Sequence, residues 1–447
     1  MKIRLPSKVN KIIVTLQNAG YEAYAVGGCV RDSILNREPE DWDITTSATP
    51  EQTKSLFRRT FDTGIEHGTV TVLLEKEGFE VTTYRIDGTY EDSRHPSRVE
   101  FTRSLEEDLL RRDFTINAMA YNEEQGLVDI FGGSFDLKNG IIRCVGNAQE
   151  RFTEDALRIL RAVRFAAQLG FTIKPETRRA IRELAPTLAN ISAERIRAEL
   201  IKLLVSVHPE KVRDLYELGI TDVILPEFNP LMTTGQETPH HMYNVGDHTI
   251  ESLKLIRGDK ILRLTMLFHD MGKPEMKTVD QNGVAHFKKH AAVSEEIAET
   301  VMRRLKFDND TLRKVVRLIR YHDYRMPAKA NLVRRAVNKI GTDMFPYYLE
   351  VRKADTLAQS EYLRDEKLKN IADIAALFHE IEEQKQCVSI KTLAITGRDL
   401  LEAGMEQGEL IGETLNRLME EVLEDPELNQ KEALLERVHK FDIIDPK

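Results

Sequence analysis

Two aspartates, Asp41 and Asp43, flank the chain's only tryptophan in GGCVRDSILNREPEDWDITTSA, residues 27–48. On a strand, residues i and i+2 project to one face, so the two carboxylates would stand side by side with Trp42 turned toward the core. Carboxylates that close repel each other unless a cation lies between them. Magnesium suits that seat, because it prefers oxygen ligands and phosphate. Gly27 and Gly28 would let backbone N–H groups approach a triphosphate, and Arg31 would add a charge-assisted contact. Alone, the pair is also compatible with a solvated turn.

A second group with chemical potential lies farther along. Seven of the twelve histidines fall between His240 and His322. His248, the adjacent His269 and Asp270, and Asp355 follow one another in order, with His290 and His322 between them. Imidazole and carboxylate together suit transition metals.

The elements that would position these groups change character along the chain. VNKIIVTLQNAG has helical spacing and stops at Gly20, whereas YEAYAVGG, TVTVLLEKEGFEVTTYR and GLVDIFGG have the short β-rich runs and glycine ends of strands. RRDFTINAMA suits an element beside the first strands, and Gly132 with Gly133 makes a tight turn. From Thr153 onward nearly every segment is helical. TEDALRILRAVRFAAQLG would be capped by Thr153 and end at Gly170, with Asp155 and Arg158 as an i,i+3 surface pair. Ile159, Leu160, Val163 and Ala167 form its apolar arc, leaving Arg158, Arg161 and Arg164 outside. The fold class expected is α+β, a mixed-sheet head followed by an all-α body. The segments expected are a head over 1–146, a helical neck over 147–230, a histidine-rich domain over 231–365 and a helical tail over 366–447.

Composition narrows the classes. With 41% hydrophobic and 31% charged residues, the chain reads as a folded soluble protein. No apolar run suits a membrane span, and MKIRLPSKVNKIIVTL has no signal-peptide core. Three scattered cysteines argue for a reducing compartment, with the cytoplasm expected. A net charge of −9 argues against a general nucleic-acid coat, but arginine concentrates over residues 143–213.

In this order, GGCVRD…EDWDITTSA, RRDFTINA, FGGSFDL and EDALRILRAVRF resemble the class II tRNA nucleotidyltransferases and the related bacterial poly(A) polymerases, of the polymerase-β-like superfamily. The resemblance covers roughly the first half of the chain. It implies that Asp41 and Asp43 hold Mg2+ for two-metal nucleotidyl transfer with release of pyrophosphate. It also implies a third acid on a neighbouring strand, for which Glu80 is the candidate. Gly27, Gly28, Arg31, Arg112, Asn117, Asp155, Arg158, Arg161 and Arg164 become the nucleotide-side candidates. Asp155 could accept from the exocyclic amine of cytosine or adenine while Arg158 donates to a ring acceptor, leaving UTP and GTP mismatched. In the family, a flexible loop is needed for adding the final A. The polar stretch RIDGTYEDSRHPSRVEF, with Asp87, Arg94 and Pro96, favours full CCA addition.

The ordered histidines and aspartates resemble HD-domain phosphohydrolases over about 120 residues. That resemblance implies metal ligands His248, His269, Asp270 and Asp355, with His290 and His322 as second-metal or phosphate contacts. It points to phosphatase or 2′,3′-cyclic phosphodiesterase activity. Arg178, Arg179, Arg182, Arg195 and Arg197 are the candidates for RNA phosphate contacts. The partners expected are tRNA, ATP and CTP, with no DNA and no membrane. The rivals are an A-adding or CC-adding enzyme, a poly(A) polymerase, an HD phosphohydrolase with an RNA-binding head, and a non-catalytic RNA-binding protein.

Overall fold

The computed structural model describes residues 2–87 and 99–444. Arg94 and Pro96 of the polar loop lie outside the described residues. The chain forms two compact units, Met1–Asn229 and Pro230–Lys447.

The first unit opens with α1 (Ser7–Asn18), whose Val9, Ile12, Ile13 and Leu16 are wholly buried. Burying each such side chain contributes about 1.5–3 kcal/mol, so this stripe anchors the helix. The chain turns at Gly20, at φ +85°, into β1 (Ala23–Val26), then α2 (Gly28–Ile34) and β2 (Ile44–Thr46). A capping box between Thr49 and Gln52 starts α3 (Pro50–Leu56). There follow β3 (Thr60–Gly64), β4 (Thr69–Leu74), β5 (Glu77–Thr83) and a small ribbon of β6 (Arg85–Asp87) with β7 (Val99–Phe101). After α4 (Leu105–Leu110), β8 (Ala120–Asn122) and β9 (Gly126–Val128) complete a seven-stranded sheet. Its order is β3-β4-β5-β2-β1-β8-β9, with β2 and β5 parallel and the other neighbours antiparallel. Buried Thr46 and Thr83 are tolerated in this sheet because each hydroxyl donates to a backbone carbonyl, and buried Thr45 because its hydroxyl reaches the Asp108 carboxylate.

Beyond α5 (Gly133–Asn139) the unit is almost entirely helical: α6 (Ala148–Glu154), α7 (Leu157–Leu169), α8 (Pro175–Leu184) and α9 (Ala193–Leu204). Gly170 ends α7 in the left-handed region, as its sequence predicts, but Thr153 lies inside α6 and does not cap α7. α7 packs mainly on α9.

The second unit is helical apart from one two-stranded ribbon, Thr278–Val279 with Ala285–His286. One core gathers Leu318, Val333, Val337, Phe345 and Tyr348 with Ile374, Phe378 and Ile381 of the helix Arg364–Glu383. A separate core begins at Cys387 and holds Leu400, Leu418, Val422 and Leu434. Among the described residues, no helix is long and apolar enough to cross a membrane.

Candidate active sites

In the first unit the acids gather at one strand junction. The Val26 N–H donates to the Asp43 carbonyl at 3.0 Å, which keeps that main chain beside β1. The ladder goes no farther, because Ala25 opposite Ile44 sets Gly27 opposite Trp42, and Gly27 already turns into α2. Asp41 and Asp43 therefore lie on the approach to β2, not within it. They are both exposed, and Trp42 is half-buried where the strand reading placed it in the core. The parallel pairing of Ile44 with Val81 sets Glu80 of β5 level with Asp43. Partial desolvation raises the Glu80 carboxyl above its ordinary range, and the charges of Asp43 and Asp41 raise it further. The Asp43 carboxyl is also raised, first by its surroundings desolvating it, then by Asp41, with Arg112 pulling the other way. Three acids that sense one another and offer only oxygen are a donor set fitted to a hard divalent cation.

Gly27 sits at φ +82°, and a Cβ there would come within 3.0 Å of the Arg112 guanidinium. Glycine thus lets Arg112 lie across the turn. The Gly27 N–H is already given to the Met119 carbonyl at 3.1 Å, so its contribution is shape and not an amide for phosphate. Asp108, fully buried, accepts from Arg111 at 2.8 Å and from the Thr45 hydroxyl at 3.1 Å, and faces Arg112 at 3.4 Å. Sequence reasoning missed Asp108. The signal was available, since an acid three and four residues before two arginines can hold both where a helix ends. Arg31 donates to Asn117 at 2.7 Å, Asn117 to Asp113 at 3.1 Å, and Arg161 to Asp113 at 2.8 Å. Burial alone would raise Asp113, but Arg161 and Asn117 bring it down to about 2.

The neck differs from the surface-helix reading. Asp155 is extended and separates α6 from α7, so it shares no helix with Arg158. Its carboxylate accepts from the Leu157 N–H at 3.0 Å and from Arg195 at 2.8 Å. Arg158 pairs instead with Glu154 at 2.7 Å and donates to the Arg111 carbonyl at 2.8 Å. Nor do the arginines lie outside a simple apolar arc. Arg158 and Arg164 are buried, because α7 is enclosed on most sides, and Arg164 is matched by buried Glu199. Of the arginines expected to meet RNA, Arg179 and Arg182 are exposed on α8. Arg178 is held by Asp214 at 2.6 Å and Glu217 at 3.0 Å, Arg195 is held by Asp155, and Arg197 is half-buried.

The second unit brings all six histidine-rich candidates together. His248 lies within Val245–Lys254 and Asp355 within Phe345–Leu357, while His269, His290 and His322 sit at helix ends. The HDMGK turn fits because Gly272 has no side chain: a Cβ there would meet the His290 carbonyl at 2.5 Å. Nδ1 of His269, His290 and His322 lies 2.7–2.8 Å from the Met266, Phe287 and Ile319 carbonyls, and Nδ1 of His248 lies 3.3 Å from that of Ala358. A carbonyl can only accept, so each Nδ1 carries a proton and each Nε2 faces inward, that of His248 toward Asp355 Oδ1 at 2.9 Å. His290 and His322 face each other Nε2 to Nε2 at 3.1 Å, close enough to share a proton or a cation. Asp270 stands at the centre, with Oδ2 3.2 Å from His269 Nε2 and Oδ1 3.4 Å from His290 Nε2. Burial would raise its carboxyl, but His269 and Lys273 hold it well below the usual range. His269 Nε2 and Asp270 Oδ1 are buried without a hydrogen-bond partner, while Asp270 Oδ2 faces the Lys273 ammonium at 2.7 Å, so the cluster keeps donor atoms suited to a metal. Two triads satisfy metal-ligand spacing: His248, His269 and Asp270, and Asp270, His290 and His322. A cavity of about 480 Å³ opens beside them, lined by Lys273, Phe287, Arg325 and His241. His241 is driven down to about 3 by burial and by the Lys273 charge, so it lines the cavity as a neutral ring.

Comparison with known proteins fits this division. Residues 23–143 match the “Poly A polymerase head domain”, and residues 170–232 the “Probable RNA and SrmB- binding site of polymerase A”. Residues 280–438 match the family model described as “tRNA nucleotidyltransferase domain 2 putative”. The chain is 37% identical to the CCA-adding enzyme of Levilactobacillus brevis over 438 residues, 96% of each chain. It belongs to the CCA-adding enzyme family. Among solved structures it resembles the Bacillus stearothermophilus CCA-adding enzyme in complex with CTP, with a TM-score of 0.73 and 28% identity over 99% of this chain and 100% of that one. The Thermotoga maritima CCA-adding enzyme complexed with tRNA shares the fold, with a TM-score of 0.59 and 21% identity over 99% and 100% of the two chains. The chain is thus a metal-dependent tRNA nucleotidyltransferase with a polymerase-β-like head and a helical body.

Proposed function

We propose that this CCA-adding family member adds C, C and A in turn to the 3′ end of tRNA from CTP and ATP, without a template, in the cytoplasm. The observation that carries the reading is the strand register that sets Glu80 level with Asp43, beside Asp41. Those three acids would hold Mg2+, which when bound neutralises the triphosphate and activates the RNA 3′-hydroxyl. Arg31 and Arg112 flank the Gly27 turn and orient the triphosphate by charge-assisted contacts. Asp155 accepts the amine of cytosine or adenine on lone pairs left free by Arg195 and Leu157. Arg158, held by Glu154 and by the Arg151 and Arg111 carbonyls, presents an N–H left over from those bonds to the ring acceptor. Exposed Arg179 and Arg182 on α8 meet tRNA phosphates. The test incubates tRNA lacking CCA, tRNA lacking only A, and mature tRNA with labelled CTP or ATP. CTP should label only the first, ATP alone only the second, and UTP none.

The second unit supports a further activity of its own. Its six inward-facing ligands would hold a transition metal, which when bound polarises a phosphate ester. Lys273, at the cavity wall 2.7 Å from Asp270, receives phosphate charge, and buried Asp270 keeps that lysine in place. Release of inorganic phosphate from phosphomonoesters, or opening of 2′,3′-cyclic nucleotides, in the presence of Mn2+, Co2+ or Ni2+ tests this reading.

A further inference from the structure

Phe165 of α7 is 5% exposed, yet its neighbours are not those of an ordinary core phenyl. Three guanidinium groups surround its ring: Arg164 at 3.8 Å from the centroid, Arg31 at 5.1 Å and Arg161 at 5.3 Å. Phe114 closes on it edge to face at 5.8 Å. Three like charges around one ring repel, and each is offset by its own carboxylate: Asp32 for Arg31 at 2.8 Å, Asp113 for Arg161 at 2.6 Å and Glu199 for Arg164 at 2.5 Å. The electron-rich face of the ring supplies the attraction that lets them converge. They come from two parts of the site. Arg31 is on α2 beside the glycine turn, while Arg161 and Arg164 are on the neck helix that begins just after Asp155. Hydrogen bonds from Arg31 through Asn117 and Asp113 to Arg161 join the same two parts.

We propose that Phe165 is a positioning residue, whose ring fixes the Arg31 guanidinium relative to α7 and so sets one spacing between triphosphate and base for both CTP and ATP. The inference rests on the nucleotide site proposed above. Phe165 touches neither nucleotide, so its effect falls on binding and falls equally on both substrates.

Replacing Phe165 with mono-, di- and trifluorinated phenylalanine drains the face of the ring at nearly constant shape. KM for CTP and for ATP should rise stepwise with fluorine number, by about three- to tenfold at the trifluorinated ring, with kcat changing less than about twofold. Phe165→Tyr, which keeps the ring, should stay near wild type. Phe165→Leu, with folding checked by circular dichroism, should reach or exceed the trifluorinated KM. A core-filling role would leave KM flat across the fluorinated series, and that result overturns the proposal, as would unequal factors for CTP and ATP. Arg31→Ala separates the two layers. If it raises KM while the fluorinated series stays flat, the positioning role fails and the nucleotide site stands. If it leaves KM unchanged, the triphosphate site itself is misassigned and this inference falls with it.

Discussion

The two candidate sites hold their acids in opposite ways. At the head, Asp41, Asp43 and Glu80 are exposed, mutually repelling and offset chiefly by Arg112. In the second unit, Asp270 is buried among histidines whose protons are committed to backbone carbonyls. The first would be completed by what arrives with substrate, because a magnesium ion keeps water and shares its coordination with phosphates. The second is built in advance, with ligands already oriented and desolvated, as retention of a transition metal requires. On the reading proposed above, one chain would carry an open site for an exchanging cation and a closed site for a resident one.

The largest effect that sharpens this contrast comes from the open site. Asp43→Ala should lower CCA addition by about three orders of magnitude or more, the loss of several kcal/mol of transition-state stabilisation. Phosphate-ester hydrolysis by the second unit should stay at the wild-type rate in the same preparation. Residual addition above a few per cent would break the assignment of the acid pair. Conversely, Asp270→Asn should abolish transition-metal-dependent phosphohydrolysis, by about 100-fold or more, and spare CCA addition. Both reactions falling together in either variant would mean the sites are not independent.

A smaller effect concerns base choice. Asp155→Asn should reduce the preference for CTP over UTP by about one to two orders of magnitude, since a hydrogen bond to a charged group is worth about 1.5–3 kcal/mol. Arg158→Ala should weaken use of both correct nucleotides. Unchanged nucleotide proportions in both variants would reduce Asp155 to a helix cap paired with Arg195.

The smallest effect is on stability, and its sign follows from the raised acids. Glu80 and Asp43 have folded-state pKa values above the ordinary carboxylate range, so their penalty is full above those values and vanishes as pH falls to the unfolded ones. At neutral pH without metal, Glu80→Gln should therefore raise Tm, by about 1–3 °C given the exposure of the group. Added Mg2+ should narrow the gap by stabilising the wild type more than the variant. A Glu80→Gln variant less stable than wild type without metal would mean the acids are not strained against one another.

What the sequence made legible follows the same contrast. The clustering of the histidine-rich candidates was readable because a helix end or a single helical position fixes each, and their order along the chain survives folding. The strand register that brings Glu80 level with Asp43 was reachable only through family resemblance, since pairing between β2 and β5 is non-local. The Asp155–Arg158 surface pair was misread because apolar spacing runs unbroken across residues 154–157. Asp155 instead bonds the Leu157 N–H, the local competition with helix that aspartate offers. Asp108 and the buried Arg164–Glu199 pair escaped notice because charged residues are expected outside, and only tertiary packing shows their partners.

An open cation site in the first unit and a closed one in the second would show in the metal content of purified protein after prolonged dialysis without chelator. The account predicts about one transition-metal ion or more per chain and no magnesium, unchanged in Asp43→Asn and lost in Asp270→Asn. Protein that holds no transition metal, and takes none up when it is supplied, would contradict it. So would a metal that leaves with Asp43.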